Sequence, residues 1–395
     1  MAWLTDCRLA DVRAGKTLGP VSIEVGDDGR IARIEDGAAP AAAKAHHLKG
    51  MTVAPGLVSV HTHLSVVYPF EITDENEPSS ATAFRAAKRA RDAVYAGVTT
   101  IRCQMEVNRI DIALRKAAKD GWVPAPRILS AGRSITTTAG HAYGHGAAVA
   151  DGYDGFLKAA RNEYAAGADH MKVFITGGIA DADEGFDVPQ MTADEMRAVV
   201  RASREHHSYV SAHAGSSEAI RTALEIGITS YEHGYDLDEE TAALMAARDD
   251  VYLTPTLCVT RLPGWMRDHH FTEEQIETAM ETGPGHLESI ERAVTAGVTL
   301  VNGTDYPPGE PCDDTVVAVR ELEFLVDAGL TPAEALRAST LDGARMLGVD
   351  SEVGAVEPGL AADLIAFDGD PMDDTAPLHD IRFVMQGGDV IRWDG

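Results

Sequence analysis

Eight short apolar runs alternate with amphipathic helical patterns across residues 51–349, and few architectures accommodate that rhythm. The runs are LVSVHTHL, GVTTIRCQ, RILSAGRSI, HMKVFIT, YVSAHA, ITSYEHG, VYLTPTL and TLVNGTD. Between them lie segments such as ATAFRAAKRARDAVYAG, FLKAARNEYAAGA, TADEMRAVVRASREHH and SSEAIRTALEIG, with apolar residues at helical spacing. Several helices end in glycine shortly before the next run, as in AGVTT, IGITS and AGVTL. Strand followed by helix, eight times over, predicts an α/β fold in which a parallel sheet closes into a (β/α)8 TIM barrel. A last helical pattern, LTPAEALRASTLDGARMLG, leads out of it.

The two ends of the chain have another texture. VSIEVGDDGRIARIED reads as a hairpin around Asp28-Gly29, and AADLIAFD with IRFVMQGGDVIRW reads as further strands with a Gly-Gly turn. We expect residues 1–53 and 351–395 to meet in one small β-sandwich domain flanking a barrel over 54–350. A net charge of −28 excludes nucleic acid and anionic membrane surfaces as partners, since both would repel the chain. No run approaches the roughly 20 apolar residues of a membrane span. Asp6 and Asp11 interrupt the place where a signal peptide would need an apolar core. Cys7, Cys103, Cys258 and Cys312 are widely spaced, with no C-x-x-C. A cytoplasmic protein with reduced thiols is expected, acting on a small molecule and assembling as a homo-oligomer.

Barrel chemistry sits at the carboxyl ends of the strands. His61-Thr62-His63 ends the first run, and two histidines at i and i+2 on a strand point the same way. Lys172, His213, His233 and Asp305 end the fourth, fifth, sixth and eighth runs. Four imidazoles, one amine and one carboxylate on a single rim suggest a metal centre. An ammonium among metal cations makes no electrostatic sense. Lys172 fits if CO2 converts its amine to a carbamate (N6-carboxylysine), an anion able to bridge two metals.

The ordered set VHTHL, MKVFITGG, SAHA, YEHG and NGTD resembles the amidohydrolase superfamily over nearly the whole chain. Within it the chain is similar to the imidazolonepropionase-like group of Xaa-Pro and Xaa-Arg dipeptidases, through MKVFITGG and the Ser-Ile-Thr…Gly-His stretch after the third run. The resemblance implies two divalent ions, usually zinc. His61, His63 and Asp305 would hold one, His213 and His233 the other, with carbamylated Lys172 bridging. It further implies a hydroxide between the ions as nucleophile, with Asp305 as its proton acceptor and donor to the leaving amine. His141 matches a substrate-contacting histidine of the dipeptidase group, and His145 could share that task. Tyr68, Tyr143 and Tyr306 are candidate lining residues.

Two departures from the group reshape the pocket. The group tends to carry a Tyr two residues after the fifth-run His, where it helps bind a carboxylate; here the sequence is His213-Ala214-Gly215. Tyr306-Pro307-Pro308 follows Asp305 where the group often has a small residue. The expected activity is hydrolysis of an amide-type C–N bond in a dipeptide, N-acyl amino acid or aryl amide. A mononuclear deaminase would carry a Glu three residues after the fifth-run His, and Ser216 stands there. Cyclic amide or ester hydrolysis remains an alternative, and a non-catalytic scaffold is disfavoured because all six ligands are present. The acidic loop with Asp181, Asp183, Glu184 and Asp187 reads as a solvated surface.

Overall fold

A computed structural model describes residues 2–38, 44–179 and 184–395. Each of the eight expected runs contains a strand, numbered here β1 Leu57–Thr62, β2 Val98–Cys103, β3 Arg127–Ser130, β4 Met171–Phe174, β5 Val210–Ser216, β6 Ser230–Asp236, β7 Tyr252–Thr254 and β8 Thr299–Leu300. All pair in parallel: β1-β2-β3 form one sheet, and β4 to β8 run consecutively in a second, extended beyond β4 by the two-residue strands Ile135–Thr136 and Ala148–Val149. Backbone hydrogen bonds also join the two sheets: Val60 N donates to the Asn302 carbonyl at 2.8 Å, and Asp169 N to that of Ser130 at 2.7 Å.

Helices Ser79–Tyr95, Gly152–Ala166, Ala193–Glu205 and Ser217–Ile226 occupy the connections, packing Ala90, Phe156, Val199 and Ile220 into the main core. Gly167, Gly227 and Gly297 close helices with φ of +109°, +105° and +85°, the left-handed geometry that a Cβ disfavours. The exit segment differs from its sequence pattern, forming two short helices, Pro332–Ala338 and Leu341–Met346. The break has a cause. Val58 N and Asn302 N take the carbonyls of Ser339 and Ala338, diverting them from the helical ladder into β1 and the loop after β8.

The chain ends meet. Leu364–Phe367 pairs antiparallel with Thr52–Pro55, in an eight-stranded sheet that also holds Ala2–Asp11, Lys16–Val25, Ile31–Asp36 and the last two strands of the chain. Leu4, Ile23, Val53, Leu364 and Phe383 form its separate core. Only Gly56 stands between Thr52–Pro55 and β1, so the terminal sheet fixes where His61 begins. No helix among the described residues is long and apolar enough to cross a membrane.

Candidate metal centre and substrate cleft

The six residues picked from the strand ends converge. His61 lies near the end of β1 with His63 just beyond, Lys172 is in β4, His213 in β5, His233 in β6, and Asp305 sits in the loop after β8. The His213 and His233 rings are 4.4 Å apart, His61 and His233 5.2 Å, and His61 and His63 5.3 Å. One ligand atom each from His61, His233 and Asp305 fall within 4.8 Å of one another. Gly303 lets the last segment in: a Cβ there would meet His61 N at 2.7 Å.

Hydrogen bonds on the far side of each ring fix the tautomers. His61 Nδ1 lies 2.7 Å from Glu232 Oε2, and His63 Nδ1 3.0 Å from the Met105 carbonyl. His233 Nδ1 lies 2.6 Å from Thr256 Oγ1, whose own proton goes to the Pro255 carbonyl. Ionised carboxylates and carbonyls only accept, so Nδ1 is the donor in all three rings and Nε2 keeps its lone pair. His213 is reversed: Nε2 donates to the Gly177 carbonyl at 3.0 Å, which leaves Nδ1 as the lone-pair nitrogen.

Asp305 Oδ1 stands 3.0 Å from His61 Nε2 and 2.9 Å from His63 Nε2, so each contact needs a cation between its two atoms, a proton or a metal ion. Such a cluster attracts a cation. Burial opposes a proton on His63, yet Asp305 outweighs burial and raises its pKa. His213 and His233 are pushed well below the ordinary imidazole range, by burial above all, and so stay neutral. Neutral imidazoles with one carboxylate form a donor set suited to zinc. Lys172 Nζ is buried with no hydrogen-bond partner among the described residues. Burial lowers its pKa to about 8 against the opposing pull of Glu232 and Asp305.

Glu232 was missed in the sequence. It binds Arg102 at 2.8 Å with both side chains fully buried, and accepts from Ser211 and Ser230 at 2.6 and 2.9 Å. Burial would raise its carboxyl; Arg102 and His61 override that and hold it well below the usual range. Neighbouring residues on a strand face opposite ways, which hides Glu232 beside His233. Both face the centre because His233 leaves the extended region, with φ +72°. Asp305, at φ +62°, also adopts the left-handed geometry; such strain collects at functional sites.

The other expected residues divide. His141 stacks on His213 at 4.5 Å, with Nδ1 2.7 Å from Glu184 Oε2. Tyr68 and Tyr306 line the cleft over the centre, Tyr68 donating to the Asp305 carbonyl at 2.8 Å. His145 and Tyr143 line an adjoining hollow, where His145 packs edge-on against Phe70. Asp181 and Asp183 lie outside the described residues. Glu184, read as surface, is instead half-buried against His141. The cleft encloses about 850 Å³, part of it open to solvent. Helices Pro263–Asp268 and Glu273–Ala296, between β7 and β8, supply a wall that the sequence reading had not assigned: Met266, Gln275 and Ala279.

Residues 52–392 match the model of the amidohydrolase family. An ochratoxinase from Aspergillus niger is 27% identical over 374 residues, covering 86% of this chain and 76% of that protein. An imidazolonepropionase from Deinococcus deserti is 28% identical over 382 residues, 89% of this chain and 86% of that one. The solved structure of a Xaa-Pro dipeptidase with bound methionine in its active site superposes with a TM-score of 0.88 at 28% identity, over 99% of each chain.

Thr256→Val keeps the shape of the side chain and removes the acceptor that fixes His233. Loss of such an outer partner costs about 10- to 100-fold in metal affinity. Competition with a chelator should show that loss with thermal stability of the metal-free protein little changed; unaltered affinity would mean that Thr256 does not orient His233.

Proposed function

The chain belongs to the amidohydrolase family, and from that premise we propose that it is a binuclear, metal-dependent hydrolase of amide-type C–N bonds. The observation that carries this reading is the facing of two imidazole lone pairs onto Asp305 Oδ1 beside an orphaned, buried Lys172 amine. His61, His63 and Asp305 would hold one divalent ion, a donor set suited to zinc. His213 and His233 would hold the second, with Lys172 as its carbamate between them. The carbamate forms as the neutral amine adds to CO2 and releases one proton. Two ions bound there would supply a nucleophile at neutral pH and polarise the scissile carbonyl. We also read the parallel strands as a closed (β/α)8 barrel over residues 54–350, beside a small domain made of 1–53 and 351–395. The hydrogen bonds at both seams between the sheets support it.

In the reaction the acyl C–N bond breaks, the acyl carbon gains the oxygen of water, and the nitrogen gains a proton. Asp305 takes the proton from the attacking water and returns it to the leaving nitrogen. The positive charge of His61 and hydrogen bonds from His61 and His63 hold its carboxyl well below the usual range despite burial, so it starts ionised. Tyr68 fixes the Asp305 backbone through its carbonyl. His141, stacked on His213 with its Nδ1–H held by Glu184, would donate to the substrate oxygen from Nε2 in its doubly protonated form, with Glu184 balancing the charge.

Two outcomes test this reading. Asp305→Asn should lower kcat by at least about 100-fold, as expected for a positioned base, with KM changed less; retention of a tenth of wild-type kcat would move the proton to another residue. Only the neutral Lys172 amine reacts with CO2, and its pKa of about 8 leaves it mostly protonated at pH 7. Activation of metal-free protein by zinc at constant dissolved CO2 should therefore be roughly tenfold faster at pH 9 than at pH 7. A rate independent of pH, or one that ignores CO2, would contradict the carbamate.

A further inference from the structure

The proposed hydrolase accounts for the chemistry of the cleft but leaves open what the flanks of the substrate carry. The walls answer part of that question. Tyr68, Phe70, Phe174, Tyr235, Phe271 and Tyr306 present aromatic surface to the space beside the centre, with Val259 and Met266 adding aliphatic contact. Among the described lining residues the one Lys or Arg is Lys172, already committed to the centre. Residues 180–183, which lie next in sequence to the lining residue Ile179, are Ala-Asp-Ala-Asp and contribute no base.

The cations close by are spoken for. Arg89 lies behind the Tyr68 ring, 5.4 Å from its centroid, and binds the Leu64 and Val66 carbonyls and Glu310. His141 is paired with Glu184 at 2.7 Å, which cancels any positive charge it carries. Glu71 adds a carboxylate to the wall, in contact with the Gln275 amide at 3.2 Å.

Gly215 closes another route. A Cβ at that position would lie 2.1 Å from the Phe186 carbonyl oxygen, so no tyrosine can stand there to offer a hydroxyl. Phe186 takes the space and packs against Tyr235, 5.5 Å between ring centroids.

Resting on the hydrolase reading, we infer that the cleft selects amides whose flanking groups are apolar and uncharged, and rejects substrates with a free carboxylate next to the scissile bond, such as dipeptides and N-acyl amino acids. A carboxylate entering here would lose water and meet aromatic faces and like charge, and among the described lining residues no Lys or Arg is free to receive it. A carboxamide or an aryl group carries no such penalty, and aromatic rings gain from the walls.

Matched substrates test this with the zinc-loaded wild-type protein: N-acyl-L-phenylalanine, its carboxamide, and the corresponding anilide, each with an acetyl, benzoyl or phenylbutanoyl group, followed by release of the acyl acid. The expected result is a kcat/KM for carboxamide and anilide about 10- to 100-fold above that of the free acid, the range set by leaving a buried charge unpaired. Equal or faster cleavage of the free acid would overturn the inference while leaving the hydrolase reading in place. If no member of any set is cleaved, the hydrolase reading falls, and this inference falls with it.

Discussion

Two imidazole lone pairs and a carboxylate oxygen held about 3 Å apart repel one another until a cation lies among them. Several unusual local features of the fold hold that arrangement. Asp305 and His233 sit in left-handed backbone geometry, and Gly303 brings the loop after β8 against His61. The backbone amides of Thr304 and Asp305 both donate to the His61 carbonyl, at 2.9 and 3.0 Å, so residues at the ends of β1 and after β8 are tied together through the main chain.

Behind the convergent side chains lies a layer that decides which nitrogen each ring presents. The Arg102–Glu232 pair is fully buried, and its cost in desolvation is offset by the two serine hydroxyls and the His61 Nδ1–H that complete it. Glu106 does similar work on the loop after His63, accepting from the backbone amides of Leu64 and Ser65 at 2.6 Å each. Rigid placement of metal-binding groups by their outer partners is what distinguishes a centre from a chance cluster of histidines.

How much of this can be read in the chain depends on periodicity. The eight strands and the helices between them are legible because apolar spacing and terminal glycines agree, and the six convergent residues follow from their place at strand ends. Glu232 escapes because strand alternation assigns it to the face opposite His233, and only the φ of His233 reverses that. Arg102 could have been noticed as a charge inside the apolar run of β2. The cleft wall after β7 is illegible for another reason. Met266, Gln275 and Ala279 belong to two helices whose apolar faces look like ordinary core spacing, and nothing local indicates that one of those faces lines a cleft. The split of the exit helix is equally non-local, since it depends on carbonyls captured by Val58 and Asn302.

The number of cations bound is the most direct test of the proposed centre. Metal-free protein equilibrated by dialysis against zinc and CO2, then measured by elemental analysis alongside activity, should hold about two ions per chain at full activity. Full activity with a single ion, or with none, would contradict the binuclear centre.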